Sequence, residues 1–84
     1  ADALLEVNEL QRHINHAIDQ LPERCRAVFA LSRFHNLSNK EIATKLDISV
    51  KTVENQMTKA LKLLRQALVN HLPEWLLLFF LFNH

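Results

Sequence analysis

Between about Val50 and Val69 the hydrogen-bonding side chains collect on one side of the chain. On a helical wheel of about 100° per residue, Lys51, Asn55, Thr58 and Lys62 fall together, flanked by Glu54, Lys59 and Arg65. Val53, Met57, Ala60, Leu61 and Leu64 fall opposite them. The polar set matches the donors and acceptors on base edges in the major groove of DNA. An Asn amide pairs bidentately with adenine, a Lys ammonium donates to guanine, a Glu carboxylate accepts from cytosine, and a Thr methyl meets that of thymine. A merely solvated helix side would show the same polarity. The choice between the two rests on what holds the helix in place.

Other residues capable of chemistry lack company. His13 and His16 share a helical side at i, i+3, with no Cys or carboxylate spaced to complete a metal site. Cys25 falls in an apolar stripe, which favours packing over reactivity. No nucleophile, base and orienting group occur at a recognisable spacing, so the expectation is a protein that is not an enzyme and has no cofactor.

The positioning elements read as helices. Val7, Leu10, Ile14, Ala17, Ile18 and Leu21 recur in steps of three and four, giving a first helix that ends near Gln20. Pro22 suits the first turn of a second helix, with Glu23 at its positive end, Cys25, Val28, Phe29 and Ser32 on one side, and His35 and Asn36 closing it. Ser38 with Glu41 three residues on is a capping box, and Leu37 and Ile42 occupy the positions of a hydrophobic staple. Ser49 repeats the cap, with Ile48 and Val53 as the second staple. A short helix from Asn39 to Leu46 must therefore turn within Asp47–Ser49 and restart as the long helix. Two helices joined so tightly, with small Ala43 where they cross, form a helix-turn-helix. Asp47 stands where many such turns carry Gly, and Asp tolerates the left-handed backbone better than most residues. This arrangement inserts the amino-terminal half of its second helix into the major groove. Lys40 and Lys62 then lie towards the DNA backbone, and Ser49 with the N–H groups of Val50 and Lys51 forms a phosphate-sized start.

Composition agrees with this all-α reading. The chain has 84 residues, is 49% hydrophobic and contains no Gly, which removes the turn residues that hairpins need. Its net charge is only +1, but residues 1–20 sum to −3 and residues 21–70 to +5, so the positive charge is concentrated on the middle of the chain. A lone Cys and no secretory signal point to a reducing, cytoplasmic setting. The chain begins at Ala1, as a processed or excised piece would. Residues 71–84 change character: Pro73 opens a short apolar stretch, Trp75 to Phe82, far below the roughly twenty residues that span a bilayer. The division is a helix-turn-helix domain over 1–70, with the motif at about 38–62, and an apolar carboxy-terminal tail over 71–84.

Three blocks carry a resemblance. Leu21-Pro22-Glu23-Arg24-Cys25-Arg26-Ala27-Val28-Phe29, Leu37-Ser38-Asn39-Lys40-Glu41-Ile42-Ala43 and Ile48-Ser49-Val50-Lys51-Thr52-Val53-Glu54-Asn55 together resemble the carboxy-terminal region four of extracytoplasmic-function sigma factors. The versions in Bacteroides-type bacteria are the most similar. The second and third blocks alone also look like the effector domain of LuxR-type response regulators, which stays open as an alternative.

The sigma resemblance implies a four-helix, winged-helix-like module closed by a short apolar helix. Such a module binds the minus-thirty-five promoter element and grips the flap of core RNA polymerase. It places Lys51, Glu54, Asn55, Thr58 and Lys59 at base-reading positions and Lys40, Ser49, Thr52 and Lys62 at backbone contacts. Members often have Arg where this chain has Glu54 and Gln56, which leaves the preferred bases open. The family's region two has no counterpart here, which implies a fragment that does not start transcription alone. The tail, with Trp75, Leu76, Phe79 and Phe80, either closes the module or docks a second copy, the polymerase flap or an anti-sigma factor. A different class of reading keeps the fold but makes it a helical interaction module held by an anti-sigma factor.

Overall fold

The computed structural model of the chain describes residues 2–69, with side chains from Asn8 onward. The expectations for Val7 and for the tail with Trp75, Leu76, Phe79 and Phe80 lie outside these residues. Within them the fold is all-helical: α1 (Asp2–Asp19), α2 (Glu23–Arg33), α3 (Asn39–Leu46) and α4 (Val50–Leu68). None of these helices is long and apolar enough to cross a membrane.

Local chemistry sets most of the boundaries. The α1 ladder closes through the Gln20 N–H on the His16 carbonyl at 3.1 Å. Pro22 sits one position earlier than expected, at the cap of α2 with ψ 147°, and its carbonyl accepts the Arg26 N–H at 2.9 Å as the first helical bond. A residue without an N–H loses nothing there, since the donors at a helix start have no intrahelical acceptor. The Arg26 guanidinium donates back to the carbonyls of Asp19 at 3.0 Å and Leu21 at 3.3 Å, which fixes the turn between α1 and α2.

The α2–α3 and α3–α4 connections each contain a left-handed residue, Asn36 at φ 54° and Asp47 at φ 56°. Asn and Asp visit this region at the least cost after Gly, because their short polar side chains satisfy the local backbone. At the end of α3 the N–H of Ile48 reaches the Ala43 carbonyl at 3.0 Å and that of Asp47 reaches Thr44 at 3.3 Å. These are the two bonds of a Schellman turn, with Ile48 and Ala43 in the same apolar cluster.

The core has two parts. The larger joins Ile14, Ala17, Ile18 and Leu21 of the first segment to Cys25 and Phe29 of α2 and Ala60, Leu64 and Leu68 of α4. The smaller comprises Val28, Ile42, Ala43 and Val53, with Leu37 and Ile48 packed against it. Met57 touches both clusters, and α4 packs against each of the other three helices. The long helix is therefore the spine of the domain, its apolar stripe turned inward and its polar stripe left outside.

Candidate nucleic-acid interface

Each residue of the expected base-reading set is exposed. Lys51, Glu54, Asn55, Thr58 and Lys59 all lie on the outer side of the first three turns of α4. Val53, Ala60 and Leu64 are buried on the opposite side, with Met57 and Leu61 half-buried beside them. One helix thus holds the five candidates at fixed spacing. Thr58 Oγ1 donates to the Glu54 carbonyl at 3.0 Å, so its hydroxyl proton is already engaged along the helix. What Thr58 retains for a partner is its methyl group and a lone pair.

The start of α4 is held from both sides. Ser49 has extended backbone at φ −75°, ψ 156°, and its Oγ accepts the Thr52 N–H at 3.0 Å. The Ser49 and Thr52 hydroxyls also share a hydrogen bond of 2.9 Å. Below this polar cap, Ile48 and Val53 meet in the smaller cluster, as a hydrophobic staple requires. Of the four expected backbone-contact residues, Ser49 and Thr52 are thus joined to each other in the cap. Lys40 and Lys62 are exposed, on the first turn of α3 and the fourth turn of α4.

The electrostatics differ between the two helix starts of the motif. The first turn of α3 carries Glu41, which closes a reciprocal capping box: its N–H reaches Ser38 Oγ at 3.1 Å and its Oε1 accepts the Ser38 N–H at 2.9 Å. Those bonds to the Ser38 backbone and then to its side chain hold the Glu41 carboxyl below the ordinary carboxylate range. The first turn of α4 carries no acid. The positive end of its dipole and the N–H groups of Val50 and Lys51 are left for an outside anion, beside the Lys51 ammonium.

Sequence reasoning missed one residue of α4. Gln56, next to Asn55, turns inward, and its Oε1 accepts the Cys25 Sγ–H at 2.9 Å. Cys25 is fully buried, as its apolar stripe predicts. The bond ties the inner side of α4 to α2. Nothing in the spacing of residues 25 and 56 foretold it, since the two meet only through packing. A concavity of about 330 Å³ opens elsewhere, among Ser32 and Arg33 at the end of α2, Leu37, Ser38 and Asn39 before and at the start of α3, and Met57 and Leu61 of α4.

A family model described as Sigma-70, region 4 matches residues 3–64, from the first turn of α1 to the last buried Leu of the α4 stripe but one. The chain belongs to the sigma-70 region 4 family. Region 4 membership gives it a coarse role: promoter DNA binding as part of a sigma factor, with DNA and RNA polymerase as partners. Comparison with curated proteins gives no match. The match covers all of the helix-turn-helix, so the exposed stripe of α4 is the second helix of a region 4 motif.

Proposed function

We propose that this region 4 domain reads the minus-thirty-five promoter element in the manner of extracytoplasmic-function sigma factors, with α4 in the major groove. Lys51, Glu54, Asn55, Thr58 and Lys59 contact base edges; Lys40, Ser49, Thr52 and Lys62 contact phosphates. The domain carries out no covalent chemistry and acts in the cytoplasm. It serves as one part of a longer sigma factor, beside the polymerase flap.

One observation carries the reading: the exposed polar stripe starts at a doubly anchored, acid-free helix terminus. The cap and staple alone do not distinguish a reader, since α3 has both; the acid-free positive end does distinguish the start of α4 from that of α3. The combination suits a reader, because base contacts demand a fixed helix and phosphates favour a positive one. The region 4 match favours this over a response-regulator effector domain.

Low-salt titration against a labelled duplex library tests it, with Asn55→Ala and Lys59→Ala beside the natural chain. Sequence-selective binding is expected, weakened by both substitutions and falling steeply with added salt. Binding no better than to scrambled duplex, with helicity intact, overturns the DNA reading and favours an interaction module held by an anti-sigma factor. Deleting residues 75–84 tests the tail separately. Unchanged mass, stability and partner binding would remove it as a docking or self-association surface.

A further inference from the structure

The concavity among α2, α3 and α4 lies on the seam between the two parts of the core. Of the residues on its wall, Leu37 packs into the smaller cluster, Leu61 into the larger and Met57 into both, and all three are only half-buried. A side chain seated there would join the two clusters. At about 330 Å³ the concavity stands at the small end of the roughly 300–1,000 Å³ that ligand clefts span, so it fits one large side chain and not the face of a helix. Its wall is not wholly apolar. Ser32 and Asn39 bring hydrogen-bonding groups, and Arg33 is the charged residue among the described residues that line it. Burial lowers the Arg33 pKa, so part of that guanidinium has left water and an acid beside it is favoured. The wall therefore suits a large apolar side chain with a polar edge, next to a carboxylate.

The chain carries that pair as consecutive residues, Glu74 and Trp75. Trp75 is its only Trp, an apolar ring with an N–H at one edge, and Glu74 is the only Asp, Glu, Lys or Arg among residues 70–84. Both lie outside the described residues, but the chain that leads to them sets their reach. Leu61 lies about 12 Å and Met57 about 18 Å back along α4 from Val69, at 1.5 Å per helical residue. The chain from Val69 to Trp75 spans up to about 20 Å when extended, and Pro73 on the way opposes a continued α4. Trp75 therefore reaches the level of both. We propose that Trp75 seats in the concavity of its own chain, against Leu37, Met57 and Leu61, with Glu74 beside Arg33. A linker this short holds Trp75 at an effective concentration on the order of millimolar, which outcompetes a second copy at micromolar concentration. Met57 and Leu61 belong to the inner stripe of α4, so this seat leaves the outer stripe uncovered. The inference gives the apolar tail a place within the domain, and it does not rest on the base contacts proposed for α4.

The test uses the full chain, whose single Met and single Trp make a nuclear Overhauser contact between the Met57 methyl and the Trp75 indole unambiguous. That contact is expected in a sample whose sedimentation gives the mass of one chain, together with slow quenching of Trp75 fluorescence by acrylamide. The natural chain decides the seat before any variant is made. Glu74→Arg, which sets two cations together, should lower the ratio of docked to open chain about five-fold, the upper end of what a partly exposed ion pair supplies. Adding Arg33→Glu to it should restore both signals, with circular dichroism checking that each variant stays helical. Three results overturn the inference: no contact in the folded natural chain, contact only in dimers, or a Glu74→Arg chain that docks as well as the natural one. Contact only in dimers would make a second copy the occupant. DNA takes no part in these measurements, so this inference and the DNA-reading role stand or fall separately.

Discussion

The starts of α3 and α4 each have a Ser cap and a hydrophobic staple, and they differ in what returns to the cap. Three residues after the cap, α3 has Glu41 and α4 has Thr52. Glu41 returns its carboxylate to the Ser38 backbone and makes the first helix terminus self-sufficient. Thr52 returns only a hydroxyl, which leaves the second terminus capped yet positive. The same local device thus serves two ends: at α3 it closes a helix, and at α4 it holds one ready for an anion. The two starts also share a foundation, since Ile42 of the first staple and Val53 of the second are buried in one small cluster.

The largest effect should come from that shared foundation. Ile42→Ala removes most of a fully buried side chain and should cost about 2–5 kcal/mol, read from thermal or urea unfolding. Because both staples rest on it, DNA affinity should fall with stability. Leu64→Ala, in the larger cluster, should cost a similar amount and leave the affinity of the folded fraction unchanged. Equal loss of affinity in both variants would mean that the two clusters act as one.

Next comes the exchanged position. Thr52→Glu would give α4 the box that α3 has, so unfolding should show unchanged or slightly greater stability. Its DNA affinity at low salt should drop by roughly ten-fold, because a carboxylate would then occupy the positive terminus. A variant that binds DNA as before would break the contrast between the two starts.

Smaller still are the caps themselves. Ser38→Ala and Ser49→Ala should each cost about 1 kcal/mol in stability. Only Ser49→Ala should also weaken DNA binding, measured at a temperature where both variants are folded.

The smallest effect is a pH dependence confined to α3. The folded-state pKa of Glu41 is depressed by its bonds to Ser38. Its contribution is therefore fully present above the ordinary carboxylate range and disappears as pH falls through the lower, folded value. Glu41→Gln preserves the geometry of the box and removes the charge, so stability from pH 7 down to the acid range should become flatter. A profile as steep as that of the natural chain would assign the acid sensitivity elsewhere.

Much of the motif was legible before the structure. The α3 boundaries, Asn39 and Leu46, follow from Ser38, Glu41 and the turn at Asp47–Ser49. The left-handed Asp47, the Ser49 cap and the division of α4 into buried and exposed stripes also agree with the sequence reading. Pro22 was off by one position, because proline suits both the cap and the first turn and its ring does not discriminate between them. The left-handed Asn36 went unread, since the sequence marks only that α2 stops near it.

The difference is one of range. Caps, boxes, staples and stripes join residues within about five positions of one another, where helix geometry alone dictates who meets whom. The amino-acid order therefore determined the helices, their ends and the chemistry of the exposed stripe. It did not determine which residues of distant segments meet. That was decided by packing: Cys25 meets Gln56 across 31 positions, and Met57 bridges two clusters. These contacts exist only once the helices have packed, because complementary shape, and not spacing along the chain, brings the partners together.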